Sequence, residues 1–127
     1  MKKDIIKTDK APKAIGPYEQ AIRIDNLIFT SGQIPIDPKT NTIVKGDIRT
    51  QAQRVFENLK GVVESCGSSL ENVIKVTIYL ENLNDFEEMN RIYEEYFGKS
   101  KPARSCVEVS ALPKGVAIEA DLIATVE

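Results

Sequence analysis

Arg104, Cys106 and Glu108 recur at every second position of a short run, Pro102-Ala103-Arg104-Ser105-Cys106-Val107-Glu108-Val109. Alternate side chains of a β-strand point to opposite faces. The three would therefore share one face, with Ala103, Ser105, Val107 and Val109 on the other. If helices cover the apolar side, the cation, thiol and carboxylate are expected on the open side. Glu119, in the strand that follows, adds a carboxylate to the same expected face. An arginine and a glutamate are a minimal set for hydrolysing a small anionic substrate. The planar guanidinium can grip a carboxylate with two parallel hydrogen bonds. The glutamate can orient or deprotonate water. The same two residues could instead form a structural ion pair, and spacing alone leaves both readings open.

The composition narrows the chemistry further. The chain has no histidine, so neither Ser-His-Asp nor Cys-His catalysis is possible within it, and a His/Cys zinc site is not expected. Acid–base work falls to carboxylates, Tyr, Lys, Cys or water. The net charge is −2, with Lys and Arg scattered among Asp and Glu. No basic stripe is present to follow a phosphate backbone, which weighs against a dedicated nucleic-acid binder. The basic start, Met1 to Lys7, lacks the apolar core of a signal peptide. No apolar run approaches the ~20 residues that span a bilayer, so a cytoplasmic location is expected. Cys66 and Cys106 fit reduced, buried thiols better than a disulfide framework.

The elements that must position these residues read as follows. At 127 residues, one domain over 1–127 is expected. Asp4 to Thr8 reads as a short strand, followed by a loop, Ala11-Pro12-Lys13-Ala14-Ile15-Gly16-Pro17-Tyr18, stiffened by its prolines. That loop could present Tyr18, although the residues alone favour Tyr18 packing at the core edge. Strands are predicted over Glu19 to Ile24 and Leu27 to Ser31, joined by Asp25-Asn26. Ser31-Gly32-Gln33-Ile34-Pro35 ends regular structure, and residues 39–46 read as a surface loop.

Asp47 is a candidate N-cap for a helix carrying Ile48, Ala52, Val55, Leu59, Val62 and Cys66 on one stripe and ending at Gly67. Gly61 inside it suggests close packing on a sheet. Val73 to Leu80 is the clearest strand, with Ile74, Val76, Ile78 and Leu80 as its apolar face. A second helix is expected from Asn84 or Asp85 to Gly98, burying Phe86, Met89, Tyr93, Tyr96 and Phe97, with Asn90 beside that face. The final strand is Val116 to Val126. The order β-β-β-α-β-α-β-β predicts an α+β fold, a single mixed sheet of about six strands with two helices on one face. Lys75, Thr77, Tyr79, Arg104, Cys106, Glu119 and Asp121 are expected on the sheet's second face. Such a mixed surface points to self-association, with pockets where subunits meet. Gly98-Lys99-Ser100 is not a P-loop, because the required earlier glycine would fall at Tyr93.

Several ordered motifs together resemble the Rid family, the reactive intermediate deaminases of YjgF type, and within it the RidA-like subfamily. They are Ile15-Gly16-Pro17-Tyr18, Thr30-Ser31-Gly32-Gln33-Ile34-Pro35, Leu83-Asn84-Asp85-Phe86, Pro102 to Val109, Leu112-Pro113-Lys114-Gly115 and Ile118-Glu119. The resemblance implies a homotrimer of chorismate-mutase-like subunits with clefts between neighbours. It implies hydrolysis of 2-iminobutanoate, 2-iminopropanoate and related enamines, released by pyridoxal-phosphate-dependent dehydratases, to 2-keto acids and ammonia. No bound cofactor is implied. Arg104 matches the carboxylate-binding arginine, Cys106 a pocket wall, and Glu119 the glutamate that positions water. Tyr18, Ser31 and Asn90 match pocket positions. The resemblance also places the final strand between the third and fourth, so Arg104 and Glu119 could converge across a subunit boundary. The wider family has been associated with RNA cleavage, translation inhibition and holdase chaperoning, and a ligand-binding regulator without turnover is a further alternative. The segment before Pro102 is shorter here than in many relatives, which bears on the pocket rim.

Overall fold

A computed structural model describes residues 1–126; Glu127, the last residue of the expected domain, lies outside the described residues. In chain order the strands and helices are β1 (Lys3–Ile6), β2 (Ala21–Ile24), β3 (Leu27–Thr30), β4 (Ile36–Asp37), β5 (Thr42–Ile43), α1 (Ile48–Ser65), β6 (Val73–Leu80), α2 (Phe86–Phe97), β7 (Ala103–Glu108) and β8 (Ile118–Thr125). Six strands form one sheet in the order β1-β2-β3-β8-β6-β7. Only β6 and β7 are parallel, joined by the α2 crossover; the other neighbours run antiparallel. β4 and β5 pair as a separate small ribbon, so the segment read as a loop contains a strand.

α1 begins where Asp47 Oδ1 accepts the Thr50 amide at 3.0 Å, and it ends before Gly67, whose φ of 83° suits glycine. Its buried stripe includes Ala52, Val55, Phe56, Leu59 and Val62. Burying each such large side chain contributes about 1.5–3 kcal/mol. Gly61 is explained by a different neighbour from the one expected. A β-carbon there would lie 2.7 Å from the Lys10 carbonyl oxygen, so the glycine admits the N-terminal loop rather than the sheet.

α2 is entered through a 3-10 turn, Leu83–Asp85. That turn is capped by Asn82, whose Oδ1 accepts the Asn84 amide at 2.9 Å; Asp85 stands at the N-cap position of α2, as expected, but makes no side-chain cap hydrogen bond. Met89, Ile92, Tyr93 and Phe97 are the buried residues of this helix, so Ile92 joins the expected set while Phe86 and Tyr96 pack at its margin. The helices meet at Phe56, whose ring contacts Tyr93, Tyr96 and Phe97 at centroid distances of 5.9, 5.6 and 5.4 Å. Both helices cover one sheet face, built from Val76, Ile78, Leu80, Ile118, Ala120, Leu122 and Ala124.

Two face assignments differ from those the sequence suggests. A register shift between Val73 and Lys75 turns Val73 inward and leaves Ile74 47% exposed. The bulge breaks the simple alternation. More consequentially, Arg104 pairs with Val76 and Cys106 with Ile78. Side chains of paired residues share a face, so Arg104 and Cys106 point to the helix side, not the open side. Ala103, Ser105 and Val107 point to the open side instead. β7 is the last strand of the sheet, at the rim of the helix layer, where a long polar side chain can cover aromatic surface and still reach solvent. A polar/apolar contrast along an edge strand therefore does not tell the buried face from the open one. Glu108 is exposed, and its Oε1 accepts the Leu83 amide at 2.9 Å.

Candidate active site

The helix-side group is organised by α2. Phe86, Asn90 and Tyr93 are spaced i, i+4, i+7, which lines them up along one side of the helix. Arg104 reaches across from β7 to meet all three. Its Nη1 donates to Asn90 Oδ1 at 2.6 Å. Its Cζ lies 4.6 Å from the Tyr93 ring centroid and 5.4 Å from that of Phe86. Cation–π attraction and one neutral acceptor orient the guanidinium without neutralising it. Among the described residues no carboxylate forms a salt bridge with Arg104. An oriented cation with spare N–H donors is a receptor for a small anion. Tyr93 was expected only as core; the helical spacing from Asn90 is the signal that assigns it to the site. Its hydroxyl is buried without a hydrogen-bond partner.

Cys106 packs against the core two residues along. Burial pushes its thiol pKa up, and Arg104 nearby only partly opposes this. A thiol held neutral is a wall rather than a nucleophile.

The open-face group sits on β8 and β6. Glu119 is opposite Tyr79, and Asp121 opposite Thr77. Tyr79 Oη donates to Asp121 Oδ2 at 3.3 Å, and Lys75 Nζ donates to Ser105 Oγ at 3.0 Å. Burial raises the Glu119 pKa above the usual carboxylate range, and the charge of Asp121 adds to the effect. Burial also raises Asp121, against the Tyr79 hydrogen bond and Lys75. A glutamate raised in this way is suited to exchanging a proton with water or substrate.

Tyr18 and Ser31 form a third group. Tyr18 is 49% exposed, not packed at the core edge, and it lines a shallow depression with Pro17, Phe29, Thr30 and Ser31. The loop that carries it is fixed from beneath by the buried Gln20, whose Nε2 donates to the carbonyls of Thr8, Ala11 and Pro12. The Ser31 hydroxyl donates to the Glu19 carbonyl.

Within one chain, then, Arg104, Asn90 and Cys106 come together on one face, and Glu119 stands on the other. β6 separates β7 from β8. Arg104 pairs with Val76 and Glu119 with Tyr79. Two strand spacings and three residues of rise put the two backbones roughly 14 Å apart. A small imine acid cannot bridge that gap through the sheet.

The sequence model of a family described as Endoribonuclease L-PSP matches residues 8–126. A RutC family protein of Pyrococcus abyssi is 61% identical over 124 residues, covering 98% of each chain. The crystal structure of YyfA from Yersinia pestis, of the conserved Rid protein family, superposes with a TM-score of 0.96 at 45% identity, over 98% of this chain and 100% of that one. The structure of Escherichia coli TdcF, which carries bound serine, superposes with a TM-score of 0.92 at 42% identity, over 98% and 99% of the two chains.

Proposed function

The chain belongs to the Rid family, that of the Endoribonuclease L-PSP sequence model, and on that premise we propose that it is a 2-iminobutanoate/2-iminopropanoate deaminase working as a homotrimer. The observation that carries this reading is the unneutralised guanidinium of Arg104, held by Asn90 and two aromatic rings. The edge of one subunit would supply Arg104, Asn90 and Cys106. The open face of the next would supply Glu119, with Ser31 and Tyr18 beside it. Opposite faces in one protomer become facing walls once an edge docks on a neighbour's sheet. The exposed Phe29 and Val107 on the open face, with Ile123 between Phe29 and Lys75 in register, support its burial in an assembly. The serine bound to TdcF has the carboxylate and nitrogen on adjacent carbons that a 2-imino acid also has. In this reading residues 1–127 form one Rid-type domain, and the protein is cytoplasmic. Among the described residues no helix is long and apolar enough to cross a membrane.

The mechanism follows from charge placement. Arg104 binds the substrate carboxylate and fixes the adjacent C2. An enamine such as 2-aminoacrylate first takes a proton at C3 and becomes the imine. Glu119, with its raised pKa, accepts a proton from a water as the water oxygen bonds to C2. It returns that proton to nitrogen and then takes the hydroxyl proton as the tetrahedral carbinolamine collapses, breaking the C–N bond and forming the 2-keto acid; the departing ammonia carries this last proton away as ammonium. The imine carbon is already electrophilic when protonated, so orientation supplies most of what the reaction needs. Generating 2-aminoacrylate in situ with a serine dehydratase and following imine loss tests this. Loss faster than the spontaneous rate is expected. No acceleration, with tight binding of a 2-keto acid, would make the protein a ligand-binding regulator. An endoribonuclease role finds little support in a net charge of −2 without a basic stripe.

A further inference from the structure

We propose that Gly32 is a positioning residue for Glu119, and that the missing β-carbon at this position is what lets the glutamate carboxylate lie against the Ser31–Gln33 segment. Its catalytic consequence rests on the reading of Glu119 given above; its structural consequence does not.

Gly32 does not have a positive φ, unlike Gly16, Gly46, Gly67 and Gly115. Backbone conformation therefore does not demand glycine there, and space does. A β-carbon on Gly32 would lie 2.2 Å from Glu119 Oε2, 3.0 Å from Cδ and 3.3 Å from Cγ. These separations are well inside van der Waals contact for the carboxylate end.

Something must give, and the surroundings decide which group moves. The segment is fastened on both sides of Gly32. Gln33 exchanges two backbone hydrogen bonds with Ala120, at 2.8 and 3.1 Å. The Ser31 amide donates to the Gln20 carbonyl at 2.9 Å. Thr30 Oγ1 accepts the Leu122 amide at 2.9 Å. Retreat of the loop would break several of these bonds, whereas a glutamate rotates about three side-chain torsions. The carboxylate is the part that yields. Glycine at 32 thus fixes where the carboxylate sits, and any larger residue re-aims it while leaving the fold intact. A misplacement of about 1 Å at a water-orienting group costs on the order of a hundredfold in rate.

The test is Gly32→Ala, read in two ways. In crystal structures, Glu119 is expected in a different rotamer with the backbone of 31–33 unmoved. In the imine assay, kcat is expected to fall about tenfold or more with KM nearly unchanged, because Arg104 still binds the carboxylate. In the Glu119→Asp background, where the carboxylate is one methylene shorter, adding Gly32→Ala is expected to cost much less than in the wild type. A Gly32→Ala structure in which Glu119 keeps its rotamer and the loop shifts would overturn the inference. So would a moved carboxylate with unchanged kcat, or an equal loss in both backgrounds. If the wild type shows no imine turnover but the rotamer moves as expected, the deaminase reading falls and the positional role of Gly32 stands.

Discussion

Arg104 and Glu119 point to opposite faces of one sheet, two strands apart, although both were expected on one face. The proposed reaction uses both and therefore places them on two copies of the chain. This makes a sharp prediction by complementation. Arg104→Ala and Glu119→Gln subunits, each inactive alone, are expected to recover activity when co-expressed. Random mixing would give roughly a quarter of the clefts an intact Arg104 facing an intact Glu119. Specific activity near that fraction of wild type supports the shared cleft, and none at all in verified hetero-oligomers refutes it.

Arg104→Lys is expected to lower kcat/KM for 2-iminopropanoate by about 10- to 100-fold, the value of a charge-assisted hydrogen bond lost with the fork. An ammonium also lacks the planar surface that lies over the Tyr93 and Phe86 rings while bonding Asn90. Near-normal turnover would remove Arg104 as the anchor.

Asn90 holds Arg104 with a neutral oxygen, and neutrality is the point. Asn90→Ala should raise KM about fivefold by freeing the guanidinium. Asn90→Asp should be worse, because a carboxylate at that position competes with the substrate's own. Equal KM values for the two variants would show that orientation alone matters.

Asp121→Asn tests the electrostatics of Glu119. The groups facing Glu119 and Asp121 are Tyr79 and Lys75 on β6, and each other on β8. Removing the Asp121 charge should move the acid limb of the kcat profile to lower pH, since one of the two causes raising Glu119 is gone. The stability effect has a definite sign. A carboxyl whose folded pKa is raised binds its proton more tightly when folded. Its cost to stability is absent below the unfolded pKa and complete above the folded one. Asp121→Asn should therefore raise the unfolding midpoint more at pH 7 than at pH 4. An acid limb that moves upward would contradict the assigned cause.

Much of the fold was legible because periodicity is a local property. The stripe from Ile48 to Val62, the Asp47 cap and Gly67 marked α1, and alternation marked β6 and β8. What was not legible involved neighbours distant in sequence. Gly61 is small because Lys10 crosses it. Ile74 turns outward because β8 pairs with a bulge.

The candidate site divides the same way. Residue chemistry singled out Arg104, Cys106 and Glu119, and the order of motifs shared with the Rid family added Tyr18, Ser31 and Asn90; both belong to the chain itself. It could not say which face of β7 is covered, because an edge strand carries polar residues on either side. Tertiary structure decided that α2 lies over Arg104 and that β6 stands between Arg104 and Glu119. It also decided that Gly32 lies against the Glu119 carboxylate. Those relationships arise from strand pairing and packing between residues far apart in sequence, which no local pattern specifies.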